Sequence, residues 1–120
     1  MEALRKHHIS FKHAFDGIIW AFRTQPNFRV HFALSLAAIL FGIFLKVTYI
    51  EMTILVLTIV FGLGVEMVNT SIEAMTDLIT TQHQQTAKIA KDVAAGMMLV
   101  VAIGAVTVAC LIFLPRIISL

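Results

Sequence analysis

The segment VEMVNTSIEAMTD, residues 65–77, follows directly on the apolar run ILVLTIVFGLG, residues 54–64. At 3.6 residues per turn, one stripe of a helix through this segment carries five polar side chains: Glu66, Asn69, Thr70, Glu73 and Asp77. An acidic residue at mid-bilayer costs about +2.5 to +3.5 kcal/mol on insertion scales, so intramembrane acids usually serve a function. The stripe predicts a site at one end of a membrane-spanning helix, and emergence of that helix into water is the alternative.

The composition supports a membrane setting. Of the 120 residues, 59% are hydrophobic and only 13% are charged. A soluble domain this small cannot bury so much apolar surface, because small domains have a high ratio of surface to volume. We therefore predict an all-α membrane protein, folded as a single domain over residues 1–120. The single cysteine, Cys110, excludes an internal disulfide and a cysteine-built metal site.

The apolar pattern divides the chain into four helices. Apolar residues recur at helical spacing in the first 24 positions, which predicts an amphipathic helix over residues 1–24 in the membrane interface. Packing of that face against the protein's own bundle is a compatible alternative. Longer apolar segments predict three spanning helices at about residues 28–46, 51–79 and 87–114.

Local signals mark the ends of these helices. Pro26 disfavours helical backbone at the preceding residue and predicts a bend at Gln25. Thr48, with Glu51 three residues later, is typical of a capping box at the start of a helix. The polar segment TTQHQQT, residues 80–86, predicts a loop, and Pro115 is expected to end the last helix.

The basic residues predict an orientation. Three spans put the N-terminal helix and the second loop on one side, which carries most of the lysines and arginines, whereas the other side has only Lys46 and Arg116. The positive-inside rule places the basic side in the cytoplasm. The basic residues flank apolar segments, so anionic lipid headgroups explain them better than nucleic acid does.

A second charged group begins the last span. Lys88, Lys91 and Asp92 share a helix face, by i, i+3 and i, i+4 spacing. If the second and third spans are antiparallel neighbours, this face meets the acidic stripe. Carboxylates of this kind hold Mg²⁺ together with substrate phosphates. The region has no glycine-rich nucleotide loop, so nucleotide chemistry here would need another design. His31, early in the first span, is expected to be a hydrogen-bonded interfacial residue rather than a ligand.

The stretch from Glu66 to Asp77 resembles the E-x-x-N-[ST]-[AS]-I-E-x-x-x-D signature of the small prokaryotic lipid kinases, the diacylglycerol kinase and undecaprenol kinase family. The segments NFRVH, residues 27–31, and AKIAKDVAAGMMLV, residues 87–100, also resemble that family. The resemblance covers nearly the whole chain. It implies a homotrimer in the bacterial cytoplasmic membrane that uses ATP and Mg²⁺ to phosphorylate a lipid hydroxyl at the cytoplasmic interface.

The resemblance also implies roles for matching residues. Glu66 would receive the lipid substrate and act as the general base for its hydroxyl. Glu73 would hold the metal on ATP, and Asn69 would position groups beside it. Lys91 and Asp92 would contact the nucleotide. The family commonly has an acidic metal ligand where this chain has Gln25, so the resemblance assigns Gln25 to the metal only with an amide in place of a charge.

Three readings of the function stay open from the sequence. The sequences NFRVH and AKIAKDVAAG resemble the undecaprenol kinase branch of the family more closely. Undecaprenol is therefore the expected substrate, with diacylglycerol as the alternative. A small cation- or proton-coupled transporter would also use intramembrane carboxylates, but it usually places them near the bilayer midplane. A structural membrane subunit would leave the acidic stripe without a purpose unless a basic partner meets it.

Overall fold

The computed structural model describes the backbone of residues 2–119 and the side chains of residues 9–119. This range forms four helices and no strand: α1 (Glu2–Thr24), α2 (Pro26–Phe44), α3 (Tyr49–Ile79) and α4 (Gln85–Ile118). Helices α2, α3 and α4 are each long and apolar enough to cross a membrane. The predicted all-helical architecture with three candidate spans is therefore confirmed, whereas the interfacial position of α1 stays a prediction.

The first two spans begin earlier than the sequence pattern suggests. Helix α2 starts at Pro26 itself, because proline has a helical φ angle and its missing N–H is not needed in a first turn. The bend is at Gln25, whose backbone is extended (φ −104°, ψ 105°), as predicted. Helix α3 starts at Tyr49, directly after its cap.

The expectation that Pro115 ends the last helix is wrong, because α4 continues through Pro115 to Ile118. A proline removes one backbone hydrogen bond from its helix, and only three helical residues follow Pro115. The side chain of the next residue, Arg116, pairs with Glu51 at the start of α3 and so ties the final turn of α4 to its neighbour. The loop before α4 is also shorter than expected: it covers residues 80–84, and Gln85 and Thr86 belong to the helix.

The turn between α2 and α3 is fixed by two local devices. Lys46 has a positive φ of 52°, and the N–H groups of Lys46 and Val47 donate to the carbonyls of Ile43 and Gly42, which is a Schellman ending. Thr48 then caps α3: its hydroxyl accepts from the Glu51 N–H, and the Glu51 carboxylate accepts from the Thr48 N–H. The predicted capping box is confirmed.

The tightest packing lies at the end of the bundle that holds this turn, here called the far end. Leu55 of α3 and Ile112 and Phe113 of α4 form a buried cluster there, and the ring of Phe41 from α2 packs edge-on against Phe113 at 5.0 Å between centroids. Most other large apolar side chains in the described range face outward. A lipid environment makes this arrangement favourable, because apolar side chains on the outside of the spans contact acyl chains instead of water.

Helix α1 leaves the bundle rather than adding a fourth parallel helix. The described chain measures 53 × 48 × 21 Å, so its second dimension is too large for three packed helices alone. Phe22 holds the junction, with ring centroids 6.4 Å from Phe28 and 5.5 Å from Phe32, both edge-to-face. Ala21 and Phe28 are buried at this junction. We call this end of the bundle, where α2 starts, α3 ends and α4 starts, the site end.

We expect Thr48→Ala to lower the free energy of unfolding by about 1 kcal/mol, since it removes the hydroxyl that caps α3. The measurement is reversible denaturation of the protein in detergent. Thr53→Ala is the matched control, because the Thr53 hydroxyl donates only to the Tyr49 carbonyl of its own helix. An equal loss in both variants would contradict a specific role of the cap.

A buried carboxylate and an inter-helix ion pair at the site end

The lengths of α3 and α4 bring polar groups to the site end. A helix needs about 20 residues to cross the hydrocarbon core. Helix α3 has 31 residues and α4 has 34, so each extends about three or four turns beyond a span. Counted from the far end, these extra turns begin at about Asn69 in α3, one turn after Glu66, and in α4 they include Lys88, Lys91 and Asp92. The acidic stripe thus lies where α3 leaves the apolar part of the bundle.

Glu66 is the most buried charged residue in the described range. Its side chain is 5% exposed, and it faces the imidazole of His31 of α2, with 3.6 Å between His31 Nδ1 and Glu66 Oε2. This distance is just beyond hydrogen-bond range, and the pair becomes an ion pair when the imidazole is protonated. A buried carboxylate is costly without a partner, so the contact with His31 stabilises its position.

Asn69 lies one turn further along α3 and is also buried. Its Nδ2 donates to Glu73 Oε1 at 3.2 Å, which fixes the direction of both side chains. The other amide atom, Asn69 Oδ1, is buried and has no hydrogen-bond partner. An orphaned buried acceptor is uncommon in folded proteins and often marks a site for an ion or a water. Two oxygen donors, Asn69 Oδ1 and the Glu73 carboxylate, are therefore available within one turn of helix.

Asp77 and Lys91 connect α3 to α4. Lys91 Nζ donates to Asp77 Oδ1 at 2.6 Å. Within α4, Lys88 Nζ pairs with Asp92 Oδ2 at 2.5 Å across one turn of the helix. All four side chains are about half exposed. They line a cavity of about 340 Å³, together with the loop of residues 80–84. The cavity has a polar, charged wall, and the predicted meeting of carboxylates and lysines is present in the structure.

A second cavity differs in character. It is an apolar cleft of about 350 Å³ between α2, α3 and α4, and it runs from His31 at the site end to Ala109 near the far end. Its walls are aliphatic apart from His31, Ser35 and Thr58. Clefts of this size are typical of ligand sites.

The structure brings together some of the predicted site residues and leaves two, Glu66 and Gln25, apart from them. Asn69 and Glu73 are bonded to each other, and Lys91 and Asp92 line one cavity. Gln25 is separate: its side-chain hydrogen bond goes to Thr24 Oγ1, at the α1–α2 bend. His31, which the sequence suggested only as an interfacial residue, is the partner of Glu66. Its position at the start of α2 was the one available signal.

Among the described residues, no three His, Cys, Asp or Glu side chains are grouped closely enough to hold a metal by themselves. A metal at the site end would need further oxygen donors, from an amide such as Asn69 or from a ligand. Mg²⁺ is usually bound in this way, by one or two carboxylates plus substrate phosphates.

These features define a class of protein: a helical membrane protein with a charged site at one end of its spans. Comparison with known proteins identifies the family. The model of the family described as "Prokaryotic diacylglycerol kinase" matches residues 12–113. The chain belongs to the prokaryotic diacylglycerol kinase family and is thus a member of a family of lipid kinases.

Individual relatives agree with this assignment. The chain is 40% identical over 113 residues to a protein of Synechocystis sp. named diacylglycerol kinase. The aligned region is 93% of this chain and 65% of that relative. It is 41% identical over 107 residues to the undecaprenol kinase of Bacillus subtilis. Here the aligned region is 89% of this chain and 87% of that relative. A diacylglycerol kinase of Helicobacter pylori is 31% identical over 85 residues. The chain thus spans about two thirds of the Synechocystis protein's length and most of the Bacillus protein's length.

We expect the pair between Asp77 and Lys91 to contribute to the docking of α3 on α4. Asp77→Lys or Lys91→Asp alone places two like charges together and should lower the melting temperature in detergent. The double variant restores opposite charges and should recover most of the loss. Lys12→Asp, which makes the same charge change on α1, is the control. Additive losses in the double variant would show that the two side chains do not interact.

Proposed function

We propose that this protein transfers the γ-phosphoryl group of ATP, with Mg²⁺, to the hydroxyl of a lipid alcohol at the cytoplasmic surface of a bacterial membrane. Family membership favours a kinase over the transporter that the sequence left open. The observation that carries the proposal is that α3 carries a buried carboxylate, Glu66, at the edge of the apolar bundle and that its later turns line a charged cavity. A lipid alcohol carries its hydroxyl at that same depth.

Glu66 is the proposed base for the lipid hydroxyl. The hydroxyl oxygen attacks the γ-phosphorus while its proton passes to the base, and ADP leaves. Phosphoryl transfer depends mostly on positioning and on electrostatic stabilisation. A positioned base contributes about 10²–10⁴-fold to the rate. The burial of Glu66 at the edge of the apolar bundle supports this role, because few solvent molecules compete there with the hydroxyl.

The residues present fit Mg²⁺. The donors at Asn69 and Glu73 are oxygens, which is the ligand type that a hard cation prefers. The unpartnered Asn69 Oδ1 is an acceptor in need of a cationic or hydrogen-bonding partner. Glu73 would hold the ion and Asn69 would keep the Glu73 carboxylate in place. Bound there with ATP, the ion would neutralise charge on the phosphate oxygens.

The cavity beside this group is the proposed nucleotide site. Lys88 and Lys91 can offset the charge of the phosphates, as lysines do in phosphoryl-transfer sites. Asp92 holds the ammonium of Lys88, and Asp77 holds that of Lys91. In the proposed nucleotide complex, Lys91 and Asp92 contact ATP directly. The Lys91–Asp77 and Lys88–Asp92 ion pairs therefore break when ATP binds.

We propose a homotrimer as the active form. The three spans leave most large apolar side chains uncovered, and the charged cavity at the site end is lined by residues of α3, α4 and the loop between them. Association in lipid does not follow from hydrophobicity alone, because acyl chains are as apolar as leucine. Neighbouring chains would instead supply the walls that a closed phosphoryl-transfer site requires.

Undecaprenol is the proposed substrate, in preference to diacylglycerol. The undecaprenol kinase of Bacillus subtilis is similar over 87% of its own length, whereas the diacylglycerol kinase of Synechocystis is a longer protein of which this chain matches 65%. Both alcohols present a primary hydroxyl on a long apolar body, so the ratio of kcat/KM for the two lipids decides between them.

The test is phosphorylation of undecaprenol and of diacylglycerol by the purified protein with Mg²⁺ and radiolabelled ATP. We expect lipid phosphorylation in the wild type, with the higher kcat/KM for undecaprenol. Glu66→Gln removes the base and should reduce kcat by at least about 100-fold. Glu73→Gln removes the charge that holds the metal and should reduce activity to a similar extent, with a raised Mg²⁺ requirement.

Glu51→Gln is the matched control for both variants. Glu51 lies on the same helix at the far end, where it serves the cap and Arg116. Its amide substitute keeps a hydrogen-bonding group, and activity per folded molecule should stay within about two-fold of the wild type. Full activity in Glu66→Gln and in Glu73→Gln would refute the site assignment. Absence of lipid phosphorylation by the wild type would refute the proposed function.

Gln25→Glu tests the metal role of the α1–α2 bend. If Gln25 faces the metal in the assembled enzyme, a carboxylate there should leave activity equal or lower the Mg²⁺ concentration for half-maximal rate, because it adds a charged oxygen donor. The measurement is a Mg²⁺ titration at saturating ATP. A higher Mg²⁺ requirement would show that this position is not near the metal.

A further inference from the structure

The apolar cleft between α2, α3 and α4 leads to the base of the proposed reaction. Gly62 and Leu63 of α3 line the cleft, and Glu66 lies one turn further along the same face of that helix. His31 of α2 lines the site end of the cleft, and its Nδ1 is 3.6 Å from Glu66 Oε2. A hydroxyl at this end of the cleft therefore lies within about one helical turn of the Glu66 carboxylate.

The two ends of the cleft differ in polarity. Two hydroxyls line its wall, but that of Ser35 donates to the His31 carbonyl at 2.7 Å and that of Thr58 donates to the Ile54 carbonyl at 2.8 Å. Both donors are thus used within their own helices, and the rest of the wall is hydrocarbon. Leu55 lines the opposite end of the cleft and belongs to the buried cluster at the far end. An occupant should therefore have its polar head at His31 and an apolar chain directed toward Leu55.

The cleft is too narrow to admit a helix. Its lining extends over residues 31–38 of α2, 55–63 of α3 and 98–109 of α4. At 1.5 Å per residue these stretches are about 10–16 Å long, so a volume of about 350 Å³ gives a mean cross-section of about 20–35 Å². A helix with its side chains is at least about 10 Å wide and has a cross-section of about 80 Å². A helix of a second copy therefore cannot enter the cleft, whereas a single hydrocarbon chain fits.

We propose that this cleft holds the hydroxyl-bearing end of a single-chain lipid alcohol and leaves no room for a second chain beside it. The inference rests on the proposed kinase function and names the feature of the lipid that the site selects. A prenol has one chain that ends at its hydroxyl, so the chain fills the cleft while the oxygen reaches Glu66. In a diacylglycerol, two acyl chains branch from the carbons next to the one that bears the hydroxyl. Only one of them finds a place in the cleft, and the other obstructs its entrance.

Selection by the cleft is steric rather than hydrophobic. Lipid tails are as apolar as leucine, so a chain that moves from the bilayer into the cleft gains little free energy from the hydrophobic effect. The part of the chain beyond the cleft stays in lipid both before and after binding. The length of a prenol should therefore matter little once its chain fills the cleft, whereas a second chain close to the hydroxyl should weaken productive binding.

A series of lipid alcohols tests this selection in the wild type. At equal mole fraction in mixed micelles, we expect farnesol, a short prenol, and undecaprenol to have kcat/KM values within a few-fold of each other. The kcat/KM for dioleoylglycerol should be at least about ten-fold lower than for either prenol. A strong preference for undecaprenol over farnesol would show that the site reads the whole chain and would contradict the proposal. Equal use of dioleoylglycerol and the prenols would contradict it as well.

A substitution in the cleft wall tests where the chain lies. Ala105→Leu narrows the cleft and should raise KM for farnesol and for undecaprenol by about ten-fold, while KM for Mg-ATP stays constant. Cys110→Leu is the matched control, because Cys110 lies on the same helix but is exposed and outside the cleft. The melting temperature in detergent shows that both variants are folded. An unchanged lipid KM in a folded Ala105→Leu protein would overturn the proposal.

Photolabelling tests occupancy without catalysis. In the absence of ATP, a farnesol analogue with a diazirine at the end of its chain should label the cleft wall near Leu55 and Ala109, and undecaprenol should compete with it better than dioleoylglycerol does. Labelling confined to outward-facing side chains such as Leu57 and Leu111 would overturn the proposal. A labelled cleft in a wild type that phosphorylates no lipid would instead support the cleft as a lipid site and refute the proposed kinase function.

Discussion

The cost of keeping a carboxylate out of water is the constraint on which this site depends. Glu66 is enclosed where α3 leaves the apolar bundle, and the structure meets that cost with a single imidazole instead of a lysine or arginine. The contact ties the position of this carboxylate to the packing of α2 against α3.

The two ends of the bundle differ in packing and in charge. The far end is rigid, with the buried cluster around Leu55, the capping box at Thr48 and the ion pair of Glu51 with Arg116. The site end has charges, an orphaned amide oxygen and an open cavity. The far end also has a buried polar atom without a partner, Arg116 Nε, so the two ends differ in their charges and in the open cavity rather than in hydrogen-bond satisfaction.

Features set by neighbours along the chain were predictable. The bend at Gln25 and the capping box at Thr48 each follow from two or three adjacent residues. The approach of Lys91 to Asp77 was also expected, because a short loop makes α3 and α4 antiparallel neighbours. The roles of Glu66, Glu73, Asn69, Lys91 and Asp92 came from family resemblance, and they stay predictions.

Features set by the relative placement of helices were not predictable. The contact of His31 with Glu66 depends on how α2 is rotated against α3, which no single helical pattern fixes. The stripe on α3 looked uniform in sequence, yet Glu66 and Asn69 are buried whereas Glu73 and Asp77 are exposed. The continuation of α4 past Pro115 likewise accompanies a contact between helices, that of Arg116 with Glu51.

The excess length of α3 and α4 makes the thickness of the surrounding bilayer a variable of the chemistry. Because both helices outreach the hydrocarbon layer, a thicker membrane would submerge Glu66 more deeply, and a thinner one would lift it toward the headgroups. Tilting of the helices offsets only part of such a mismatch. The lipid composition of the host membrane thus sets how far the Glu66 carboxylate lies from water, without any change in the protein itself.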